Sequence, residues 1–398
     1  ALSDSPVVLL HGARQTGKST LIKWLVEEKH PARYLTLDDA GVLSAAHSNP
    51  VGFLAGLEHP VAIDEVQRVP GLFLAIKAEV DKKRTPGKFL LTGSANVFLL
   101  PHLAESLAGR MEVLVLWPFS QSELEESSGL FIDWTFLRNP PSLKPGSEDH
   151  AKLRQRILAG GYPEVQTRST QDRRDAWFNS YITTILQRDV RELSSIEGLT
   201  VLPRLLALLA ARAGALLNFA ELSNSATIPQ TTLKRYMALL QTTFLVSLLP
   251  AWSGNLSKRL IKTPKVYLVD TGMMGHLLGA DQRRLVGDGV LFGRMLECFV
   301  LTELIKQATW SKTKPRLYHF RTQTGQEVDF VLERADGAIV GIEAKSSSTV
   351  DASDFKGLRM LAEQLGKRFV RGVVMYTGRE VIPFEKRLIA VPVQVLWM

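Results

Sequence analysis

Residues Gly12-Ala13-Arg14-Gln15-Thr16-Gly17-Lys18-Ser19 follow the spacing G-x-x-x-x-G-K-S. Residues of these types in this order hold phosphate. The glycines let the backbone curl so that successive N–H groups face anionic oxygens, and a following helix adds the positive end of its dipole. Lys18 is the candidate for the β- and γ-phosphates of ATP and Ser19 for a Mg²⁺ ligand, with Thr20 next to the cradle. A second run, Val61-Ala62-Ile63-Asp64-Glu65, ends in two carboxylates. Asp64 would hold the Mg²⁺ through its water shell, and Glu65 would orient and polarise the attacking water. A third apolar run, Lys88 to Leu91, ends in Thr92-Gly93-Ser94-Ala95-Asn96. Thr92 and Ser94 are candidates to sense the γ-phosphate; a Ser- and Asn-capped turn is the alternative. Arg110 closes Glu105-Ser106-Leu107-Ala108-Gly109-Arg110. It either reaches a neighbouring subunit's nucleotide, which requires an oligomer, or makes a local salt bridge.

The last 110 residues carry a second chemistry. Glu297 lies on a helix expected from Gly293 to about Gln307, Asp329 on a strand over 328–332, and Glu343-Ala344-Lys345 at the end of a strand over 339–344. A strand over 317–321 before these, a helix over about 353–365 and a strand over 370–376 complete the order α-β-β-β-α-β. Phosphodiester hydrolysis uses a hard divalent cation held by carboxylates. Asp329 and Glu343 on adjacent strands would converge on one Mg²⁺. Lys345, two residues on, shares the face of Glu343 and would position water or stabilise developing charge. Glu297 would add a ligand or a base, and Gln326-Glu327 a further ligand. A structural Glu–Lys pair on a sheet surface is the alternative. Lys367, Arg368 and Arg371 suit phosphate contact or a solvated helix end.

These sites need elements to position them. Val7 to Leu10 reads as a buried parallel strand before the glycine loop, and Thr20 to Glu28 as the helix after it. A strand is expected over 113–116, with a joint rich in Pro, Ser and Gly over 139–146. Helical periodicity over 150–159 stops at Gly160-Gly161-Tyr162-Pro163, and 172–192 reads as a long helix with Arg188-Asp189 near its end, where Arg188 forms a structural ion pair or contacts a nucleotide or a neighbouring subunit. Helices over 199–213, 219–225 and 231–241, then a β-rich run over 244–249, give the order of a winged helix-turn-helix. In that fold Thr231, Thr232, Lys234 and Arg235 would face DNA, and Lys258, Arg259, Lys262 and Lys265 would meet phosphates from the wing. Protein contact is the alternative use of such a module.

The P-loop, Ile63-Asp64-Glu65, Leu91-Thr92-Gly93-Ser94, Leu107-Ala108-Gly109-Arg110 and Pro118-Phe119-Ser120 together resemble a prokaryotic group of AAA-type ATPases with a C-terminal domain of unknown function. The resemblance covers nearly the whole chain, the Gly160-Gly161-Tyr162-Pro163 turn included. It implies ATP with Mg²⁺ and a ring, with a hexamer expected. Glu297, Asp329, Glu343 and Lys345 resemble the four signature positions of the PD-(D/E)xK nuclease superfamily. The group usually has a helical lead-in before its first strand, so a trimmed start is expected here.

With 398 residues, 45% hydrophobic and 22% charged, the chain has the composition of a globular protein of several domains, not of a disordered or disulfide-rich one. Its formal charge of +8 favours a polyanionic partner. One cysteine, Cys298, permits no intrachain disulfide and suits a reducing, cytoplasmic interior. No secretory leader and no membrane span are expected. The expected fold is α/β: an AAA-like core over 1–118, a helical lid or linker over 119–198, a winged-helix module over 199–265 and a restriction-endonuclease-like domain over 266–398. The leading functional reading is an ATP-driven machine acting on duplex or branched DNA, its last domain either cutting or only gripping. The competing reading is a regulatory ATPase whose later domains bind proteins.

Overall fold

In the computed structural model, described residues are 1–94, 107–143, 149–190, 199–255, 259, 262–322 and 324–398. Expectations at Ala95, Asn96, Glu105, Ser106, Lys258 and the side chains of Arg188 and Asp189 lie outside them. The chain forms two compact units, Ala1–Pro118 with Met237–Leu245, and Phe119–Tyr236 with Val246–Met398.

The first unit is built on a parallel five-stranded sheet of β1 (Val7–His11), β2 (Arg33–Thr36), β3 (Val61–Asp64), β4 (Phe89–Gly93) and β5 (Met111–Val115), ordered β2-β3-β4-β1-β5. Alternate residues serve opposite faces. Val7, Leu9, Ile63 and Leu91 join a core with Leu72, Phe73 and Ile76, while Val8, Ala62 and Leu90 pack with Ile22. Burial on both faces explains why these strands read as continuous apolar runs. The candidate functional residues lie at the strands' C-terminal ends, the end at which open parallel sheets bind ligands.

The second unit holds β6 (Val246–Leu249) antiparallel to β7 (Lys265–Leu268), and a six-stranded sheet. The latter comprises β8 (Arg316–Arg321), β9 (Glu327–Glu333), β10 (Ile339–Lys345), β11 (Phe369–Tyr376), β12 (Ile382–Glu385) and β13 (Leu388–Pro392). β8, β9 and β10 form an antiparallel meander. The helix Lys356–Leu365 then carries the chain across to β11, parallel to β10. Phe355, Leu358 and Leu361 close one face of this sheet. The helix Gly289–Trp310 is apolar around most of its circumference and buried along most of its length, as an interior helix must be. Helices Leu202–Ala211, Phe219–Ala226 and Gln230–Thr242 precede β6.

The Gly160-Gly161-Tyr162-Pro163 turn has a structural explanation. Gly160 stands at φ +68°, ψ −153°, and a Cβ there would lie 2.2 Å from the Asp270 carboxylate. At Gly161 a Cβ would lie 2.2 Å from the Phe119 carbonyl oxygen. The Gly161 N–H donates to Asp270 Oδ2 at 2.7 Å, and Asp270 also caps the helix Thr271–Leu278. Lys306 Nζ donates to the Phe119 carbonyl at 2.9 Å and to Glu303 at 2.9 Å. Tyr162 is fully buried against Trp177, Phe178 and Tyr181. Gly160→Ala is expected to destabilise the second unit by about 3 kcal/mol or more, since backbone strain and a carboxylate clash add. Chemical denaturation against wild type measures it.

Candidate functional sites

At the C-terminal end of β1 the glycine loop closes over its own lysine. Gly12 is at φ +154°, and a Cβ there would lie 2.1 Å from the Leu116 carbonyl oxygen, so only glycine fits. Gly17 at φ +93° and Gln15 at φ +62° complete the curl. Lys18 is buried, and its Nζ donates to the carbonyls of Gly12 at 3.1 Å and Ala13 at 2.6 Å. Thr16 Oγ1 donates to Ala13 O at 2.9 Å. Arg14 and Ser19 are half-buried, whereas Gln15 and Thr20 are exposed. The helix Lys18–Glu28 points its N-terminus at this loop.

The carboxylates of β3 stand beside the tip of β4. Asp64 is buried, accepting from Tyr34 Oη at 2.8 Å and from Thr92 Oγ1. The Glu65 N–H donates to the same Thr92 hydroxyl at 2.9 Å. Glu65 is left-handed, φ +59°, and its carboxylate accepts from Gln67 Nε2, which also donates to Ser94 Oγ at 2.9 Å. Burial, then the bond to Asp64, pushes the Tyr34 phenol far above its usual range, so it stays a donor. Tyr34 and Gln67 escape sequence reading: one is an ordinary strand tyrosine, the other sits in a loop without motif. Arg110 bonds Asp81 Oδ1 at 2.5 Å, and its carbonyl accepts from Val7 N at 3.3 Å. It therefore stands at the end of the sheet opposite the glycine loop, out of reach of a nucleotide bound in its own subunit.

The second constellation lies in the second unit. Glu327 and Asp329 share a face of β9, as do Glu343 and Lys345 on β10 and Lys265 and Tyr267 on β7, each pair two residues apart. Asp329 and Glu343 stand one position beyond the Phe330–Ile342 pair of the antiparallel ladder. The Lys265 ammonium lies among the acids: 2.9 Å from Glu297 Oε1, 3.6 Å from Asp329 Oδ1, and in an ion pair with Glu327. Tyr267 Oη donates to Glu297 at 2.6 Å, and the Ala344 N–H to Asp329 Oδ2 at 3.0 Å. Lys345 Nζ lies 3.8 Å from Glu343 and 4.0 Å from Asp354. Gly214 and Gly357 leave room, since a Cβ at either would press on Glu297 or on Glu343 and the Glu327 carbonyl.

Burial, then repulsion from Asp329, raises Glu297 to about 7 and Glu343 well above its usual range. For Lys265 burial works against the charge, but Glu297, Asp329 and Glu327 outweigh it and hold the ammonium firmly protonated.

Two expectations for the wing are corrected. Lys265 is 2% exposed and neutralises carboxylates inside the unit, so it cannot meet phosphates. Arg259 forms an ion pair with Glu333 at 2.5 Å and lies over the rings of Trp252 and Tyr318. Both were drawn inward because the neighbouring sheet is acidic at those points. Lys262, Thr231, Lys234 and Arg235 are exposed and Thr232 is half-exposed. Arg371 is also internal, donating to the carbonyls of Trp134 and Leu137. The Mg²⁺ expected at Asp329 and Glu343 does not fit this arrangement. Among the described residues no group of three or more His, Cys, Asp or Glu side chains is placed to hold a metal.

His319 is buried on β8, its Nε2 3.1 Å from the Thr263 carbonyl oxygen. Burial lowers it to about 4 from an ordinary 6.5, and the nearby Lys265 adds to the effect. The unfolded chain therefore takes up this proton first as pH falls. The His319 contribution is whole above pH 6.5 and is lost between 6.5 and about 4. Denaturation of wild type and His319→Asn is expected to show a pH dependence over that window reduced in the variant, by up to about 3 kcal/mol.

Comparison with known proteins gives the family. A model described as an AAA domain matches residues 4–125, and two domains of unknown function, DUF8612 and DUF4143, match 150–284 and 292–396. The first unit thus carries an AAA-type ATPase domain, while the C-terminal sheet belongs to a domain of unknown function. The chain is 22% identical over 284 residues to an uncharacterised protein of Haemophilus influenzae, covering 69% of this chain and 62% of that one. A Thermotoga maritima RuvB Holliday junction branch migration motor aligns at 18% identity over 61% of this chain and 82% of its own, with a TM-score of 0.29 too low to argue from. Uncharacterised proteins of Mycobacterium bovis and Mycobacterium tuberculosis are each 34% identical over 393 residues, 98% of this chain and 81% of theirs. With that identity over nearly its whole length, this chain, an AAA domain followed by two domains of unknown function, belongs to one family with the mycobacterial proteins.

Proposed function

We propose that the protein is an ATP-hydrolysing machine of the AAA type that acts on DNA, with a nuclease-like C-terminal domain that grips rather than cuts. The observation that carries the ATPase part is the convergence of the glycine loop, Asp64, Glu65 and Thr92 at one edge of a parallel sheet. The residues fit ATP with Mg²⁺. Backbone N–H groups of Gly12 to Ser19 would cradle the phosphates, Lys18 would exchange its loop carbonyls for phosphate oxygens, and Ser19 and Asp64 would hold the cation. The cation would neutralise phosphate charge. Glu65, turned by its left-handed backbone and held by Gln67, would orient and polarise water. Thr92 ties Glu65 to Asp64, and Ser94 would report on the γ-phosphate through Gln67. Arg110 would act in a neighbouring subunit, consistent with a ring; release from Asp81 would free it.

The DNA part rests on Lys234 and Arg235, exposed on the helix Gln230–Thr242 with Thr231 and Thr232, on Lys262, and on the +8 charge. The domain limits proposed are 1–118, 119–198, 199–265 and 266–398, of the AAA-like, helical, winged-helix and nuclease-like kinds. β7 spans the last limit. In this reading Glu297, Asp329, Glu343 and Lys345 would be the four positions of the nuclease signature. The regulatory ATPase is kept as a second reading because Arg259 and Lys265 are withdrawn from the expected phosphate row.

Lys18→Ala is expected to abolish ATP turnover by loss of binding. Glu65→Gln should still bind ATP but hydrolyse it at least about 100-fold more slowly. Arg110→Ala should lose turnover about 1,000-fold without losing ATP binding, as removal of an arginine finger does. Steady-state ATPase assays and nucleotide-binding titrations check all three. Retention on duplex DNA that falls steeply with salt, and weakens in Lys234→Ala/Arg235→Ala, supports the DNA reading. Salt-independent or absent retention supports the regulatory one.

A further inference from the structure

We infer that Lys265 is the resident cation of the C-terminal acidic site, standing where a nuclease of this architecture would keep a divalent metal. The inference rests on the nuclease-like reading of β8–β11 and the two flanking helices. Three features carry it. The Lys265 side chain is 2% exposed, with its ammonium against Glu297, Glu327 and Asp329 at the mouth of β9. Asp329 has both carboxylate oxygens engaged, one facing Lys265 and one accepting the Ala344 N–H at 3.0 Å. Lys265 comes from β7, not from the β-β-β-α-β framework, so the cation is delivered by a strand outside the motif.

A Mg²⁺ ion demands oxygen ligands at about 2.1 Å in near-octahedral order. The Lys265 ammonium, set against Glu297, Glu327 and Asp329, takes the space and the charge that such an ion would need beside Asp329. A metal could enter only if the Lys265 side chain swung away, and it is anchored in a strand, Lys265–Leu268, that is buried at every position. The site therefore supplies fixed positive charge to its carboxylates without Lewis acidity and without a metal-bound water. That removes the means of activating water for phosphodiester cleavage while preserving the fold's surface for binding.

The test is Mn²⁺ alone, titrated into nucleotide-free full-length protein and followed by the loss of the free-ion electron paramagnetic resonance signal. Wild type, Asp329→Asn, Lys265→Met and Lys265→Met/Asp329→Asn are compared. The expected result is no Asp329-dependent Mn²⁺ binding in wild type, and one new site in Lys265→Met that the added Asp329→Asn removes. Asp329-dependent Mn²⁺ binding in wild type would overturn the inference and leave the nuclease-like reading standing. A folded Lys265→Met that gains no site would overturn both. The wild-type and Asp329→Asn pair uses no altered lysine and decides the first point even where Lys265→Met does not fold.

Discussion

A buried charge must be matched where it sits, and the ammonium of Lys265 is matched by three carboxylates from two other elements. Glu297 comes from the long helix, and Glu327 and Asp329 from β9. An unpaired ion in such surroundings would cost several kcal/mol, and loss of one partner from a buried pair typically costs about 3–5 kcal/mol. The lysine therefore pins β7, β9 and the helix Gly289–Trp310 together, and the packing around it follows. Tyr267 donates to the same Glu297, and Gly214 and Gly357 clear space for the carboxylates. Glu343, pushed by burial and then by Asp329 toward its neutral form, limits the surplus of negative charge.

The two constellations solve the problem of clustered charge in opposite ways. In the AAA domain the acids are held by neutral donors. Asp64 accepts from Tyr34 and Thr92, and Glu65 from Gln67, so the negative charge is oriented without being cancelled. Such an edge suits a cation that arrives with its substrate. In the C-terminal unit the acids are cancelled from within. The same residue types thus leave their charge open in one place and have it neutralised by a covalently tethered cation in the other.

The parallel sheet and the glycine loop were legible because local rules and global fold agree there. Continuous apolar runs mark strands covered on both faces, and the loop's spacing is dictated by backbone geometry that only glycine accepts at Gly12. The α-β-β-β-α-β order was legible from periodicity and turn residues. Partners that approach across long sequence separation were not. Lys265 reads as one more member of a basic cluster, and only its position in a fully buried strand distinguishes it. Arg259 and Arg371 misread for the same reason: a basic side chain is usually solvated, and nothing local signals Glu333 or the Trp134 carbonyl. Gly160 and Gly161 read as a helix stop, whereas their role is to admit Asp270 and Phe119.

The most direct test of the central claim is strand integrity. Purified protein is incubated with end-labelled linear and branched duplex DNA, Mg²⁺ and ATP, and the products are resolved on a denaturing gel beside Asp329→Ala. A site whose cation is Lys265 leaves every strand intact in both lanes. Cleavage products that vanish in Asp329→Ala would contradict the account, because they would require a metal where the lysine stands.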